Sequence, residues 1–379
     1  MERRSFRKTI RSPWPGRMTG RERFRRQMHF QPVDRSFHME FGYWEENYAE
    51  WGMLRDNGIR AEWQANRFFG FDPIEVVSGA TFLKPAFRER EAGRTENGRI
   101  LLMNGDGLLA EIPADGHSSI PHYLKPTVAT PEDWRRVKKE RFDPDHPGRK
   151  VDVAALQALH GPDEARDYPL GVDCGSMIGR IRDMLTFEGV CFAYADEPAM
   201  LEDMVETCCV LVERFLDQVL PHFRFDYASG WEDICFNKGP ILPPSFFRDV
   251  VKPRYRRIRD KLEKHGVDVW YTDCDGDVRP ILPHLMDGGI NCLFPFEVNS
   301  CAHPGELLAE YPELRIMGGV DKIELGKGPA AIDAYLETLV PWVERGGYIP
   351  FCDHRCPPNV REEDYLYYLD RKKALFGMG

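Results

Sequence analysis

The chain has 379 residues, of which 42% are hydrophobic and 30% charged, with 51 basic against 61 acidic side chains and a net charge of -10. That apolar fraction is enough to bury a large core, and the acidic balance excludes nucleic acid as an expected partner, because the phosphate backbone would be repelled. No run of about 18 apolar residues occurs, so no transmembrane span is predicted.

Residues 1–17 read as a disordered basic arm, in which Arg3, Arg4, Arg7, Lys8, Arg11 and Arg17 are interrupted by Pro13 and Pro15. Residues 18–379 read as one domain. Thr19–Met28 predicts an amphipathic helix, with Thr19 as N-cap and Glu22 three residues later. Phe37–Phe41 is apolar. Around Phe82–Phe87 and Ile100–Ile112 the pattern alternates and turns near Asn97-Gly98, which predicts a β-hairpin insertion.

From Tyr168 the rhythm becomes strand, then helix. Predicted strands are Tyr168–Cys174, Val190–Tyr194, Phe225–Gly230, Val267–Asp273, Ile290–Pro295, Leu314–Val320 and Gly347–Asp353. Predicted helices are Pro198–Leu220, Pro244–His265, Val278–Gly288, Pro304–Tyr311 and Gly328–Arg345. With Phe37–Glu40 as a first strand the count reaches about eight, the number that a TIM-type (β/α)8 barrel of the α/β class needs. An open doubly wound sheet is the alternative. The ten cysteines are scattered through apolar segments, which points to a reducing, cytoplasmic compartment.

The predicted strand ends carry the polar chemistry: Asp173; Glu232 and Asp233; Asp273, Asp275 and Asp277; Glu297; Asp321; and Asp353 with His354. In a barrel these ends converge on one mouth. So many carboxylates repel one another unless a cation, shared protons or arginines offset the charge. Extended-chain alternation puts Asp273 and Asp275 on one side. With His354 they form an expected divalent-metal set. Asp277 reads equally well as a helix cap. Cys274, Cys352 and Cys356 are the lesser alternative, as a thiolate zinc site. Asp273, His354, Glu232 and Asp173 are the candidate catalytic acids and bases. Tyr43, Trp44, Phe71, Glu297 and Asp321 are assigned to the substrate, although the aromatic group around Phe41, Tyr43 and Phe71 also suits plain core packing. No Gly-rich segment has nucleotide-binding spacing.

Several ordered pieces carry a family resemblance: Thr19-Gly20-Arg21-Glu22-Arg23-Phe24 with Pro32-Val33-Asp34-Arg35, Trp231-Glu232-Asp233, Lys238-Gly239-Pro240-Ile241, Asp275-Gly276-Asp277, Gly318-Gly319-Val320-Asp321, and Gly346-Gly347-Tyr348-Ile349 with His354 and Pro357-Pro358. In this order the chain resembles the uroporphyrinogen decarboxylase superfamily, which also contains cobalamin-dependent methyltransferases. The resemblance implies a (β/α)8 barrel. The Arg-Gln-Ala-Gly-Arg-Tyr stretch with which the decarboxylases grip substrate carboxylates is missing, which favours the methyltransferase branch.

That branch holds zinc with a His-x-Cys-Gly motif and a later Cys. Matched on Gly276, Asp273 takes the histidine position and Asp275 the cysteine position, and the later Cys falls near His354. The resemblance thus implies zinc, or a harder ion such as Mn²⁺ or Mg²⁺, on carboxylates and imidazole. It further implies methyl transfer between a small methylated substrate and a corrinoid on a separate partner protein, in a chain that is often dimeric in this family. A decarboxylase or lyase with Asp/His acid–base catalysis is the alternative.

Overall fold

The computed structural model describes residues 13–113 and 122–377. Among the described residues thirteen strands are formed in chain order. Seven of them build one parallel sheet in the order β1, β6, β7, β10, β11, β12, β13. These are β1 (Glu75–Val77), β6 (Leu170–Asp173), β7 (Tyr227–Trp231), β10 (Trp270–Asp273), β11 (Cys292–Phe296), β12 (Arg315–Val320) and β13 (Tyr348–Cys352). Every neighbouring pair is parallel, so all seven C-terminal ends lie along one edge.

The main helices are α1 (Gly20–Met28), α2 (Gly179–Leu185), α3 (Pro198–Val219), α4 (Lys252–Lys264), α5 (Leu282–Gly288), α6 (Pro304–Glu310), α7 (Pro329–Arg345) and α8 (Glu362–Leu375). α1 starts where its cap requires: the Thr19 hydroxyl accepts the Glu22 N–H at 3.1 Å. α3 buries Leu201, Val205, Cys208, Val212, Phe215 and Val219, spaced by three or four residues. Each such burial contributes roughly 1.5–3 kcal/mol for a large aliphatic or aromatic side chain. α5 ends at Gly289, whose φ of 112° suits a residue without a Cβ.

Period-two alternation sorts the strand residues onto two faces. Leu170, Ala228, Trp270, Leu293, Ile316 and Tyr348 join the helices in one core. Tyr227, Cys292, Phe294, Met317, Ile349 and Phe351 form a second core, joined by Phe24 and Met28 of α1 and by Phe37 and Met39. Burial on both faces is what makes parallel strands nearly continuous in apolar character.

Two expectations are corrected. Val190–Tyr194 is not a strand but lies in a helix, Phe187–Asp196, with Val190 and Ala193 buried and Phe192 65% exposed. A short apolar run does not reveal its period. Phe37–Glu40 forms no ladder, and among the described residues none joins β13 to β1, so the ladder is an open seven-stranded one. The segment is nonetheless tied at both ends: His38 O accepts the Asp72 N–H at 2.8 Å, and Gly42 O accepts the Cys356 N–H at 2.9 Å. The three-residue β1 escapes notice in the sequence because it is too short to show a period.

The insertion is an antiparallel sheet of four strands: β2 (Arg90–Arg94), β3 (Ile100–Met103), β4 (Leu109–Ile112) and β5 (His122–Lys125). A small pair, β8 (Cys235–Phe236) and β9 (Gly239–Pro240), follows β7. Of the expected basic arm, residues 1–12 lie outside the described residues. Trp14 packs under the Arg35 guanidinium at 5.0 Å, and Pro15 O accepts from Arg35 Nε at 3.1 Å. No helix among the described residues is long and apolar enough to cross a membrane.

Candidate functional site

Parallel pairing brings Asp173, Trp231, Asp273, Glu297, Asp321 and His354 to the same edge of the sheet, because each follows or ends a strand at its C-terminus. Asp273 is in register with Trp231 on one side and Phe294 on the other. The chain then turns sharply at Gly276, where φ is 86° and a Cβ would lie 2.5 Å from the Cys235 carbonyl carbon. Only glycine fits that backbone contact. The Asp277 N–H is bound by Phe236 O at 2.8 Å, so β8 holds the loop that presents Asp275.

Asp275 and His354 come together: His354 Nε2 is 3.4 Å from Asp275 Oδ2. The third member is Glu297 rather than Asp273. One ligand atom each from Asp275, Glu297 and His354 lies within 4.8 Å of the others. Asp275 Oδ1 is buried without a hydrogen-bond partner. A buried carboxylate oxygen left unpaired beside a second carboxylate is costly, and a cation would relieve both penalties. Two oxygen donors and one imidazole nitrogen therefore fit a divalent ion such as zinc or manganese.

The triad is braced from behind. Glu297 Oε1 accepts from Lys322 Nζ at 2.7 Å and Oε2 from Ser300 Oγ at 3.1 Å. The Lys322 N–H binds Asp353 Oδ1, and the Val298 N–H binds Asp353 Oδ2, both at 3.1 Å. Burial pushes the Asp353 carboxyl up to about 6, against the opposing pull of Lys322 and of these two N–H groups. Asp321 accepts the Ile323 N–H and the Asn299 amide, both at 2.8 Å, which makes it a cap and clamp for the loops around Glu297.

His354 is held above its ordinary value. Burial works against the charged ring, but the hydrogen bond to Asp275 and the charges of Asp275 and Glu297 outweigh it. Asp273 is pushed up to about 7, first by burial, then by Asp275 and Asp233, with His354 and Arg355 pulling the other way. It is a carboxylic acid that still carries a proton near neutrality. Asp173 is also raised, chiefly by burial, and accepts the Gly175 N–H at 2.8 Å.

Beneath the acids lies an aromatic floor. Phe41 meets the His354 ring at 5.3 Å and Phe294 at 5.1 Å, and Tyr271 meets Phe294 at 4.6 Å. Phe41, Ile74 and Tyr271 are the partly buried residues packed against the second core. Tyr271 and Phe294 were missed in the sequence, although alternation along β10 puts Tyr271 on the side of Asp273.

The remaining expected residues lie elsewhere. The Tyr43 hydroxyl is 2.6 Å from that of Tyr365 in the outer core. Phe71 stacks on Phe69 at 5.7 Å, and Trp44 is 41% exposed. Cys274 Sγ lies 3.6 Å from Asp275 O, and Cys356 Sγ 4.0 Å from Pro357 O; Cys235 and Cys352 are the other cysteines nearby. All four are buried and none belongs to the triad.

Glu232 is an anchor. Its carboxylate accepts the N–H groups of Met177, Ile178 and Gly179 at 2.7, 2.8 and 2.9 Å, together with the hydroxyls of Ser176 and Tyr255. Its own N–H binds Asp273 O at 2.8 Å. This one side chain ties the start of α2 to the ends of β7 and β10. Glu232→Ala leaves several buried donors unsatisfied and is expected to cost about 3 kcal/mol or more. The denaturant midpoint checks this; an unchanged midpoint removes the anchoring role.

No family model matches the chain, and no curated protein matches it in sequence. A solved structure described as a methyltransferase from Methanosarcina mazei aligns with 94% of this chain and 99% of that one, at a TM-score of 0.55 and 12% identity. At that identity the two chains are shown to share a fold, an α/β architecture that extends over nearly the whole of both.

Proposed function

We propose that this chain is a methyltransferase that moves a methyl group from a small methylated oxygen compound to an acceptor, with a divalent cation, zinc in the first instance, held by Asp275, Glu297 and His354. The observation that carries this reading is the triad itself, with the unpartnered Asp275 Oδ1 at the mouth of a parallel sheet. The fold shared with a chain described as a methyltransferase supports it. We also read the sheet as the wall of a (β/α)8 barrel, and the acceptor as a corrinoid on a separate protein, as the family resemblance implies. The ten free cysteines support a reducing, cytoplasmic location.

A cation bound there supplies Lewis acidity toward a substrate oxygen. Lys322 and Ser300 hold both oxygens of Glu297 and so keep that carboxylate in place. Phe41, Tyr271 and Phe294 exclude water from one side. The methyl carbon leaves the substrate oxygen for the acceptor, whose electron pair forms the new bond. The substrate oxygen keeps the old bond pair and takes a proton, for which the Asp273 carboxyl at the end of β10 is the proposed donor.

One observation favours a second reading. A proton-bearing Asp273 close to His354 also suits a metal-free decarboxylase or lyase. Elemental analysis with a transfer assay decides between them. The expected result is one divalent ion per chain and transfer from a methoxylated donor to cob(I)alamin protein that chelation abolishes. A metal-free chain whose turnover survives chelation overturns the first reading.

A further inference from the structure

Arg180 is a cation near this edge of the sheet that the triad does not use. Arg180, on α2, is 48% exposed, and its nearest carboxylate oxygens are Asp183 Oδ2 at 3.7 Å and Asp106 Oδ2 at 3.9 Å. Both lie beyond hydrogen-bonding range. The other arginines of this rim are committed. Arg182 donates to Asp233 at 3.0 Å and to Asp183 at 3.2 Å, and Arg355 pairs with Glu62 at 3.3 Å.

The Arg180 guanidinium lies over the Trp231 ring at 5.3 Å and the Phe82 ring at 5.8 Å. Trp231 ends β7 in register with Asp273. The arginine therefore stands on the β6–β7 side of the mouth, while the triad stands on the β10, β11 and β13 side. Asp173 ends β6 on the arginine's side, and Tyr271 and Asp273 lie on β10, next to β7. A guanidinium oriented by aromatic faces, with its donors open, is the group best shaped to take a carboxylate in a two-pronged bond. It also answers a problem of charge: a mouth lined by carboxylates repels an acidic substrate unless a cation receives it.

We propose that Arg180 binds the carboxylate of the substrate, so that the methyl donor is a small carboxylic acid bearing a methyl ether, with its acid group on Arg180 and its ether oxygen toward Asp275, Glu297 and His354. The donor class rests on the methyl-transfer reading above. The carboxylate site rests on Arg180 alone.

The test compares acids with their uncharged amides: 4-methoxybenzoate against 4-methoxybenzamide, and methoxyacetate against methoxyacetamide. Calorimetric titration into metal-loaded native protein, Arg180→Met and Arg180→Lys gives the affinities, and metal content is measured on the same samples. Arg180 is half exposed and its ion pairs with Asp183 and Asp106 are long, at 3.7 and 3.9 Å, so Arg180→Met is expected to fold and keep its metal. Native protein is expected to bind at least one acid about 10- to 100-fold more tightly than its amide, the range for a charge-assisted bond, and Arg180→Met to bring that ratio to about one with amide affinity unchanged. Arg180→Lys should keep part of the preference.

A preference that survives Arg180→Met overturns the proposal, and so does equal affinity, or no binding of either member, in native protein. If the acid preference depends on Arg180 but no methyl transfer occurs, the carboxylate site stands and the methyl-transfer reading falls. If transfer proceeds with no preference for acids, this inference falls alone.

Discussion

Replacing His354 by Ala is expected to weaken divalent-metal binding by more than about 100-fold, since loss of even an outer-shell partner costs 10–100-fold, and to abolish methyl transfer with it. Asp275→Asn should act in the same direction, because it removes the charge beside the imidazole and half of the carboxylate pair. The pH dependence has a definite sign. A ring nitrogen binds metal only when unprotonated, and the pKa of His354 is raised above 6.5 by Asp275 and Glu297 against the effect of burial. In native protein, metal affinity is therefore full above that raised value and falls as pH drops through it. Competition with a chelator at pH 6 and pH 8 measures the effect. His354→Ala should bind weakly at both values with little slope between them. Native-like affinity in that variant would remove His354 from the site.

Asp273→Asn is expected to stabilise the metal-free protein at pH 8 by up to roughly 4 kcal/mol, the equivalent of about three pKa units. The carboxyl sits at about 7 in the folded chain against 3.8 in the open chain, first because it is buried and then because Asp275 and Asp233 crowd it. Between those values the folded state keeps a proton that the unfolded state has released. The stability from that proton is complete below about pH 4 and is lost as pH rises through 7. Asn mimics the protonated form, so the variant should match the native protein at pH 4 and exceed it at pH 8. Urea midpoints at the two values, with chelator present, test this. The same variant should lose about 100- to 10,000-fold in turnover if the Asp273 proton reaches the leaving oxygen. A variant as active as native, yet more stable at pH 8, would confine Asp273 to electrostatic strain.

The strand–helix alternation from Tyr168 onward was readable because apolar runs end in carboxylates and helices open at prolines such as Pro198, Pro304 and Pro329. Asp275 and His354 could be named as partners because both follow apolar strands, and parallel strands send their C-terminal ends to one edge. Glu297 was visible as a strand-end acid, but its place beside them depends on β11 lying between β10 and β12, and strand order is a long-range property. The two-residue alternation that paired Asp273 with Asp275 does not carry past Asp273, where the strand ends. Asp275 joins Glu297 and His354, and Asp273 is not a member of that group.

Glu232 shows the same limit from the other side. An acid at a strand end reads as a catalyst until the fold surrounds it with Met177, Ile178, Gly179 and Tyr255, and its capacity is spent on anchoring. Arg180 shows the converse, an ordinary helix arginine in the sequence that the fold sets over Trp231, with its nearest carboxylate oxygens at 3.7 and 3.9 Å. The sequence by itself determined the periodicity, and with it the faces of strands and helices and the acidic character of their ends. Only the tertiary structure decided which of those ends meet, which acids are spent on backbone N–H groups and which keep an open oxygen. Those outcomes depend on contacts between residues far apart in the chain, and local propensity carries no record of them.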